Sequence, residues 1–363
     1  MSEIDQRRRT LSARLAELKI DAFLVSSSAN LRYLTGYTGS NGLLLLTADD
    51  AHFFTDPRYA ISAAREVSCT VHVETKALIA GATALIARKR IKKIGFESAA
   101  LTFDAYTKMK DTLTLGAALH PIGAVVEDQR TVKSASEQEL IRRSVMLNSA
   151  AFERTMRRVK PGLSEMDIAA ELDYQMRRLG AEKPAFETIV AVGERSALPH
   201  SQPTSRRLGE NELLLIDMGA SREGYASDMT RVAHTGKVPK RIRDLYYAVL
   251  EAQLASIDAV KAGATTRSVD AAGRNVLKRH GLDKAFVHST GHGLGLEIHE
   301  PPRIARGGIA RKDMTELQAG MAITIEPGAY IEGLGGIRIE DTVLVTVNGC
   351  EVLTPTPKQL LEI

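Results

Sequence analysis

The chain has 363 residues, 44% of them hydrophobic, and 48 Lys and Arg against 44 Asp and Glu leave a net charge of only +4. That length accommodates two domains, and so small a positive excess gives no reason to expect a nucleic-acid partner. Cys69 and Cys350 spell no disulfide framework, and the apolar runs reach about six residues against the ~20 that a membrane span needs. Residues 1–7 lead into no apolar segment of signal-peptide type, so a cytoplasmic protein without a membrane partner is expected.

Leu11, Leu15 and Leu18 stand at helical spacing and predict a helix over residues 4–18. Residues 22–25 read as a buried strand. Residues 42–46 and 52–55 read as two more, joined by a turn at 48–50. Asp56-Pro57 interrupts the pattern, a helix resumes over 58–66, and residues 92–97 form a further short strand. The expectation is an α/β domain with a mixed sheet over residues 1–130.

A polar stretch near residues 127–134 marks the boundary to a second domain over 131–363. Ser136 and Glu139 have the spacing of a capping box, opening a helix that Lys160-Pro161-Gly162 ends. Ser164 is expected to cap the next helix, which stops at Gly180. Helices follow over 240–261 and 268–280, with strands near 188–192, 213–218, 321–326 and 338–345.

The last third of the chain carries five candidate metal ligands. Asp217 follows the apolar run 213–216, and Asp228 lies in a Gly-Tyr-Ala-Ser-Asp-Met-Thr-Arg segment. His292 is flanked by glycines, Glu326 precedes Pro327-Gly328, and Glu340 closes the stretch 335–339. Four carboxylates and one imidazole share a small volume only if cations neutralise them, which points to two divalent metals and to hydrolysis. Hard oxygen donors with one imidazole suit Mn²⁺, Co²⁺ or Zn²⁺. Two such ions ~3.5–4 Å apart hold a nucleophilic hydroxide between them.

Strand alternation puts Arg338 with Glu340, Thr324 with Glu326, and Asp228 with Thr230 on common faces, giving each ligand a polar neighbour. The glycines around His292 are expected to let backbone approach the metals. Three further histidines, His200, His288 and His299, lie among prolines and glycines and are candidates for substrate contact.

These residues carry a resemblance. The block Gly291-His292-Gly293-Leu294-Gly295 with His299-Glu300, then Glu326-Pro327-Gly328, then residues 336–341, resembles the pita-bread metallopeptidases, in their creatinase, aminopeptidase P and prolidase group. The front segments 33–39 and 54–59 are similar to that family's N-terminal domain. The resemblance implies a creatinase-like α/β domain ahead of an α+β pita-bread catalytic domain. It implies that Asp217 binds one metal, that His292 and Glu326 hold the second, and that Asp228 and Glu340 bridge them. Mn²⁺ is the expected metal, with Zn²⁺ or Co²⁺ compatible. Glu326 would also accept the proton of the attacking water.

The resemblance further implies that His200 and His299 contact the scissile amide, that His288 helps form the proline pocket, and that Arg338 and Tyr330 form a polar link at the site. A homodimer is implied too. The substrate implied is a peptide or dipeptide with proline second, whose tertiary amide lacks an N–H. The front-domain segments 39–42 and 55–56 favour an Xaa-Pro aminopeptidase. Arg303, a natural fork for a proline carboxylate, keeps an Xaa-Pro dipeptidase as the alternative. A metal-free, creatinase-like or non-catalytic member is the reading that the intact ligand set argues against.

Overall fold

The computed structural model describes residues 2–113, 116–307 and 315–363. The chain divides into two compact units, Met1–Arg130 and Thr131–Ile363.

The first unit holds helices α1 (Glu3–Arg14), α2 (Ser28–Thr35), α3 (Ala60–Glu66), α4 (Leu78–Lys89) and α5 (Phe103–Thr112). Its strands are β1 (Ala22–Val25), β2 (Leu43–Thr47), β3 (Ala51–Thr55), β4 (Thr70–Val73), β5 (Lys93–Glu97) and β6 (Ala118–Ile122). They form one sheet in the order β4-β3-β2-β1-β5-β6. The sheet is mixed because β1 runs antiparallel to β2 and parallel to β5. Leu24, Leu45 and Phe54 meet Ala82, Leu85 and Ile86 of α4 in its core.

Three helices of this unit, α2, α4 and α5, go beyond the sequence expectation. Helix α4 has the sequence LIAGATALIARK, so apolar and small residues occupy more than one face and the 3.6-residue period is blurred. Helix α2 is short and ends at Gly36, whose φ of +79° is a conformation glycine adopts without penalty.

Helix α6 (Val125–Thr131) crosses the division. The second unit continues with α7 (Ala135–Met156), α8 (Glu165–Arg178), α9 (Lys240–Asp258) and α10 (Thr266–Arg279). Its strands are β7 (Lys183–Pro184), β8 (Ile189–Val192), β9 (Leu213–Met218), β10 (Ala220–Arg222), β11 (Tyr225–Ala226), β12 (Met229–His234), β13 (Gly291–Gly293) and β14 (Glu300–Ile304). Then come β15 (Ala322–Ile325), β16 (Gly328–Ile331), β17 (Gly335–Arg338), β18 (Asp341–Val345), β19 (Cys350–Val352) and β20 (Leu361–Glu362). Two sheets matter for the site, β20-β12-β9-β8 and β14-β13-β15-β18-β19.

Alternation along β9 divides the side chains between two cores. Leu214, Ile216 and Met218 join Leu147, Ile168 and Leu172 of α7 and α8. Leu213 and Leu215 face the other way, toward Leu245, Val249 and Val276 of α9 and α10, and Asp217 continues their face. In the second sheet Ile323, Ile325, Val343 and Val345 fill one core. Thr324 and Thr342 lie at the alternate positions, and that alternation continues to Glu326 and Glu340 just beyond the strand ends.

Two local expectations are corrected. Helix α7 is capped two residues early: Ser134 accepts from the Glu137 amide and the Glu137 carboxylate accepts from the Ser134 amide. The Lys133 amide is committed to the Gly320 carbonyl, so Ser134 is the first residue free to turn. Residues 338–345 are not one strand. β17 pairs with β16 and ends at Arg338, while β18 begins at Asp341 in a different sheet.

Candidate metal centre

Antiparallel pairing of β9 with β12 sets Asp217 opposite Thr230, with Asp228 one residue ahead of β12. Pairing of β15 with β18 sets Ile325 opposite Asp341, which brings Glu326 and Glu340 to one end of the sheet. His292 sits mid-way along β13, between β14 and β15. A Cβ on Gly291 would strike the Thr324 carbonyl, and one on Gly293 the Pro301 carbonyl. These glycines allow close approach of the neighbouring strands on either side of His292.

These elements surround one cavity of about 820 Å³, lined by Asp217, Asp228, His292, Glu326, Glu340, His200, His288, His299, Arg303 and Arg338 among others. Asp228, His292 and Glu340 offer ligand atoms within 4.8 Å of one another. Glu326 joins through His292, whose Nε2 lies 3.5 Å from Glu326 Oε1 and 3.5 Å from Asp228 Oδ2. The His292 Nδ1–H donates to the Gly293 carbonyl at 2.9 Å, which leaves the Nε2 lone pair facing the carboxylates. Asp217 is held more to one side, with Oδ2 receiving Nη2 of Arg338 at 2.5 Å.

Arg338 organises the wall behind these groups. Its Nε donates to the Thr230 hydroxyl at 3.0 Å, and that hydroxyl donates to Glu340 Oε2 at 2.7 Å. Arg338 and Glu340 thus converge on Thr230 across the strand break, not along one strand. Nη1 donates to the Tyr330 hydroxyl at 2.7 Å and to the Pro199 carbonyl at 3.2 Å. The Tyr330 hydroxyl in turn reaches Nε2 of His288 at 2.8 Å. Tyr330 therefore stands behind the cavity wall, joining Arg338 to His288. His299 packs edge-on against His292, ring centroids 4.4 Å apart.

Burial dominates the electrostatics. It drives the Asp228 and Glu340 carboxyls well above their usual range, reinforced by their carboxylate neighbours. Burial pushes Glu326 up to about 8, with Arg338 opposing. The imidazoles move the other way: desolvation takes His288 and His292 down to about 4, and lowers His299. Burial also works against the Arg338 charge, but Tyr330, Asp217, Glu326 and Glu340 more than offset it.

The hydrogen-bond inventory tests the fit of a cation. Among the described residues three buried carboxylate oxygens have no partner: Asp217 Oδ1, Asp228 Oδ1 and Glu340 Oε1. All three belong to residues lining this one cavity. Burying an unpaired carboxylate oxygen is costly unless a cation or proton meets it. The donor set of hard oxygens and one neutral imidazole fits divalent cations.

Glu187, Gln202, Ser289 and Glu300 line the cavity too and were not among the sequence candidates. Glu300 directly follows His299 and Gln202 lies two residues past His200, so proximity to a candidate histidine was the available signal. Its carboxylate is engaged by Lys133 Nζ at 3.1 Å, with both side chains fully buried.

Residues 139–347 match the model of metallopeptidase family M24, and residues 7–132 that of the creatinase/prolidase N-terminal domain. The chain belongs to metallopeptidase family M24. This M24 chain is 36% identical over 357 residues to a Xaa-Pro dipeptidase of Pyrococcus furiosus, covering 98% of this chain and 99% of that protein. The structure of a Xaa-Pro dipeptidase from Bacillus anthracis superposes with a TM-score of 0.95 at 36% identity, covering 99% of this chain and all of that one. An X-Pro aminopeptidase from Thermotoga maritima MSB8 gives 0.89 at 34% identity, with 98% and 99% covered. The pita-bread catalytic fold and creatinase-like front domain implied by the sequence motifs are thereby shown, and membership of the family implies divalent metal ions as cofactor. No helix among the described residues is long and apolar enough to cross a membrane.

Proposed function

We propose that this M24 peptidase hydrolyses the Xaa-Pro bond of small peptides and works best on Xaa-Pro dipeptides. The observation that carries the reading is the group of unpaired buried carboxylate oxygens in the same cavity as His200, His288 and His299. Asp217, Asp228, His292, Glu326 and Glu340 would hold two divalent ions, with Mn²⁺ the expected metal, which when bound supply Lewis acidity and make water a nucleophile near neutral pH.

The chain's own groups do the rest. The Glu326 carboxylate, whose proton affinity burial has raised, takes the proton of the attacking water and passes it to the departing proline nitrogen. His200 and His299, on the cavity wall, donate N–H to the carbonyl oxygen as it gains negative charge. His288 has both ring nitrogens engaged, by the Ser289 carbonyl at 2.8 Å and the Tyr330 hydroxyl. It therefore offers the proline ring a fixed, neutral surface.

Arg303 supports the preference for dipeptides. Its exposed side chain lines the cavity and makes no hydrogen bond or ion pair among the described residues, so its guanidinium is available to a proline carboxylate. The front-domain segments that favoured an aminopeptidase are engaged within their own unit: Asn41 donates to Asp56 at 2.5 Å and Ser40 bonds the Tyr59 hydroxyl at 2.6 Å. One observation still favours that second reading. His288, Ser289, Pro301 and Arg303 also border a neighbouring cavity of about 610 Å³, room for chain beyond the proline. A metal-free role would leave the unpaired oxygens without a counterpart.

The experiment compares Leu-Pro with Leu-Pro-Gly on metal-loaded enzyme. Leu-Pro should be cut faster, and Arg303→Ala should raise KM for Leu-Pro by about 10- to 100-fold while changing the tripeptide little. Faster cleavage of Leu-Pro-Gly would give the aminopeptidase reading, and cleavage of neither would end both. The reading includes a homodimer, checked by sedimentation equilibrium, and a cytoplasmic location, checked by cell fractionation.

A further inference from the structure

We infer that Glu165 and Arg195, which do not line the cavity, are positioning residues for His200; the inference rests on the peptidase reading above. The His200 imidazole makes no hydrogen bond of its own among the described residues, and the side chain is exposed on a loop between β8 and β9. Its place is therefore set by backbone. A loop side chain without direct restraint samples many rotamers, and small displacements from productive geometry are expensive in rate.

The loop is closed on one carboxylate. Glu165, the first residue of α8, is fully buried. Its Oε1 accepts from the Val192 amide at 2.9 Å, where the segment leaves β8. Its Oε2 accepts from the Thr204 amide at 2.9 Å and the Thr204 hydroxyl at 2.7 Å, past the histidine. Both ends of the excursion are thus tied to the same side chain. Arg195 Nε, at 3.0 and 3.2 Å, bridges that carboxylate to the middle of the loop. From there Nη2 donates to the Ser201 hydroxyl at 2.8 Å and the Gln202 carbonyl at 2.9 Å.

His200 sits between two held residues. Arg195 binds Ser201 on one side, and Arg338 binds the Pro199 carbonyl at 3.2 Å on the other. Arg338 also binds Asp217, so the histidine's position is referred both to α8 and to the candidate metal centre. With the Glu165 carboxylate buried and the Arg195 side chain partly exposed, this ion pair restrains geometry more than it adds stability.

The test is a double-mutant cycle on the full-length, metal-loaded enzyme with Leu-Pro. Arg195→Met should lower kcat by about 10- to 100-fold with bound metal unchanged, and His200→Ala by a similar factor. In the His200→Ala background, Arg195→Met should add less than about threefold, because the group it positions is gone. Arg195→Lys keeps a charge beside Glu165 but not the two Nη2 bonds; it should behave like Arg195→Met and carries the cycle if that variant fails to fold. Losses that multiply across the two backgrounds, or loss of metal from the Arg195 variants, would overturn the inference. A second readout needs no activity. The His200 ring Cε1–H resonance should shift or broaden in both Arg195 variants while that of His288 stays; an unmoved His200 resonance overturns the inference by itself. An inactive wild-type enzyme would defeat the peptidase reading instead, and the control reports it separately.

Discussion

Each unit buries a carboxylate, and the two are treated in opposite ways. Glu97 in the first unit is 4% exposed, and its oxygens are satisfied by the Ser26 and Ser27 amides at 2.6 and 2.8 Å, the Ser26 hydroxyl and the Asn30 amide at 2.6 Å. Glu340 in the second unit is 1% exposed, yet it keeps Oε1 without a partner and has Asp228 and Glu326 as acidic neighbours. The first arrangement is complete as folded. The second leaves an acceptor open to a cation or a proton. An unpaired buried oxygen marks Asp217, Asp228 and Glu340 as candidate ligands, where Glu97 has none.

The comparison breaks most sharply at Asp228. Asp228→Asn should remove hydrolysis and reduce bound metal, measured by turnover and elemental analysis; retained metal with full activity would place the centre elsewhere. Next comes His299→Ala, expected to lower kcat by about 10²- to 10³-fold with metal content intact, because its role is toward the substrate. Equal metal loss in both variants would make His299 a ligand.

The pH response sharpens the contrast. Glu326 is raised from near 4.5 to about 8 by burial, so in metal-free protein the folded state holds a proton that the unfolded state has released. Its contribution to stability is then full below about pH 4.5 and is lost as pH rises toward 8, at up to about 1.4 kcal/mol per pH unit. Above about pH 6.5, where the lowered His288 and His292 largely cease to oppose it, metal-stripped protein should melt lower at pH 8 than at pH 6.5, and added metal should cancel the difference while releasing protons, seen calorimetrically in buffers of different ionisation enthalpy. The smallest effect belongs to Glu97→Gln, about 1–3 kcal/mol of stability in denaturant titration with activity and metal retained.

Much of the site was legible because it is written locally. The apolar run 213–216 leads straight into Asp217, and alternation from Thr324 places Glu326. The geometry behind them was not legible, because it is made by partners far apart in sequence. Thr230 joins Arg338 to Glu340 across more than one hundred positions, and Glu165 of α8 reaches Val192 at the end of β8 and Thr204 in the loop beyond. The break after Arg338 was invisible too, since residues 338–345 keep a strand's composition while changing sheets. In the first unit the short α2 and the nearly uniformly apolar α4 lack the clear polar face that announces a helix.

The most direct test is Leu-Pro hydrolysis by one preparation, assayed after chelation and again after stoichiometric Mn²⁺ is restored. The account predicts no turnover in the stripped protein and recovery saturating at two ions per chain. Undiminished turnover after verified metal removal, or none after reloading, would contradict it.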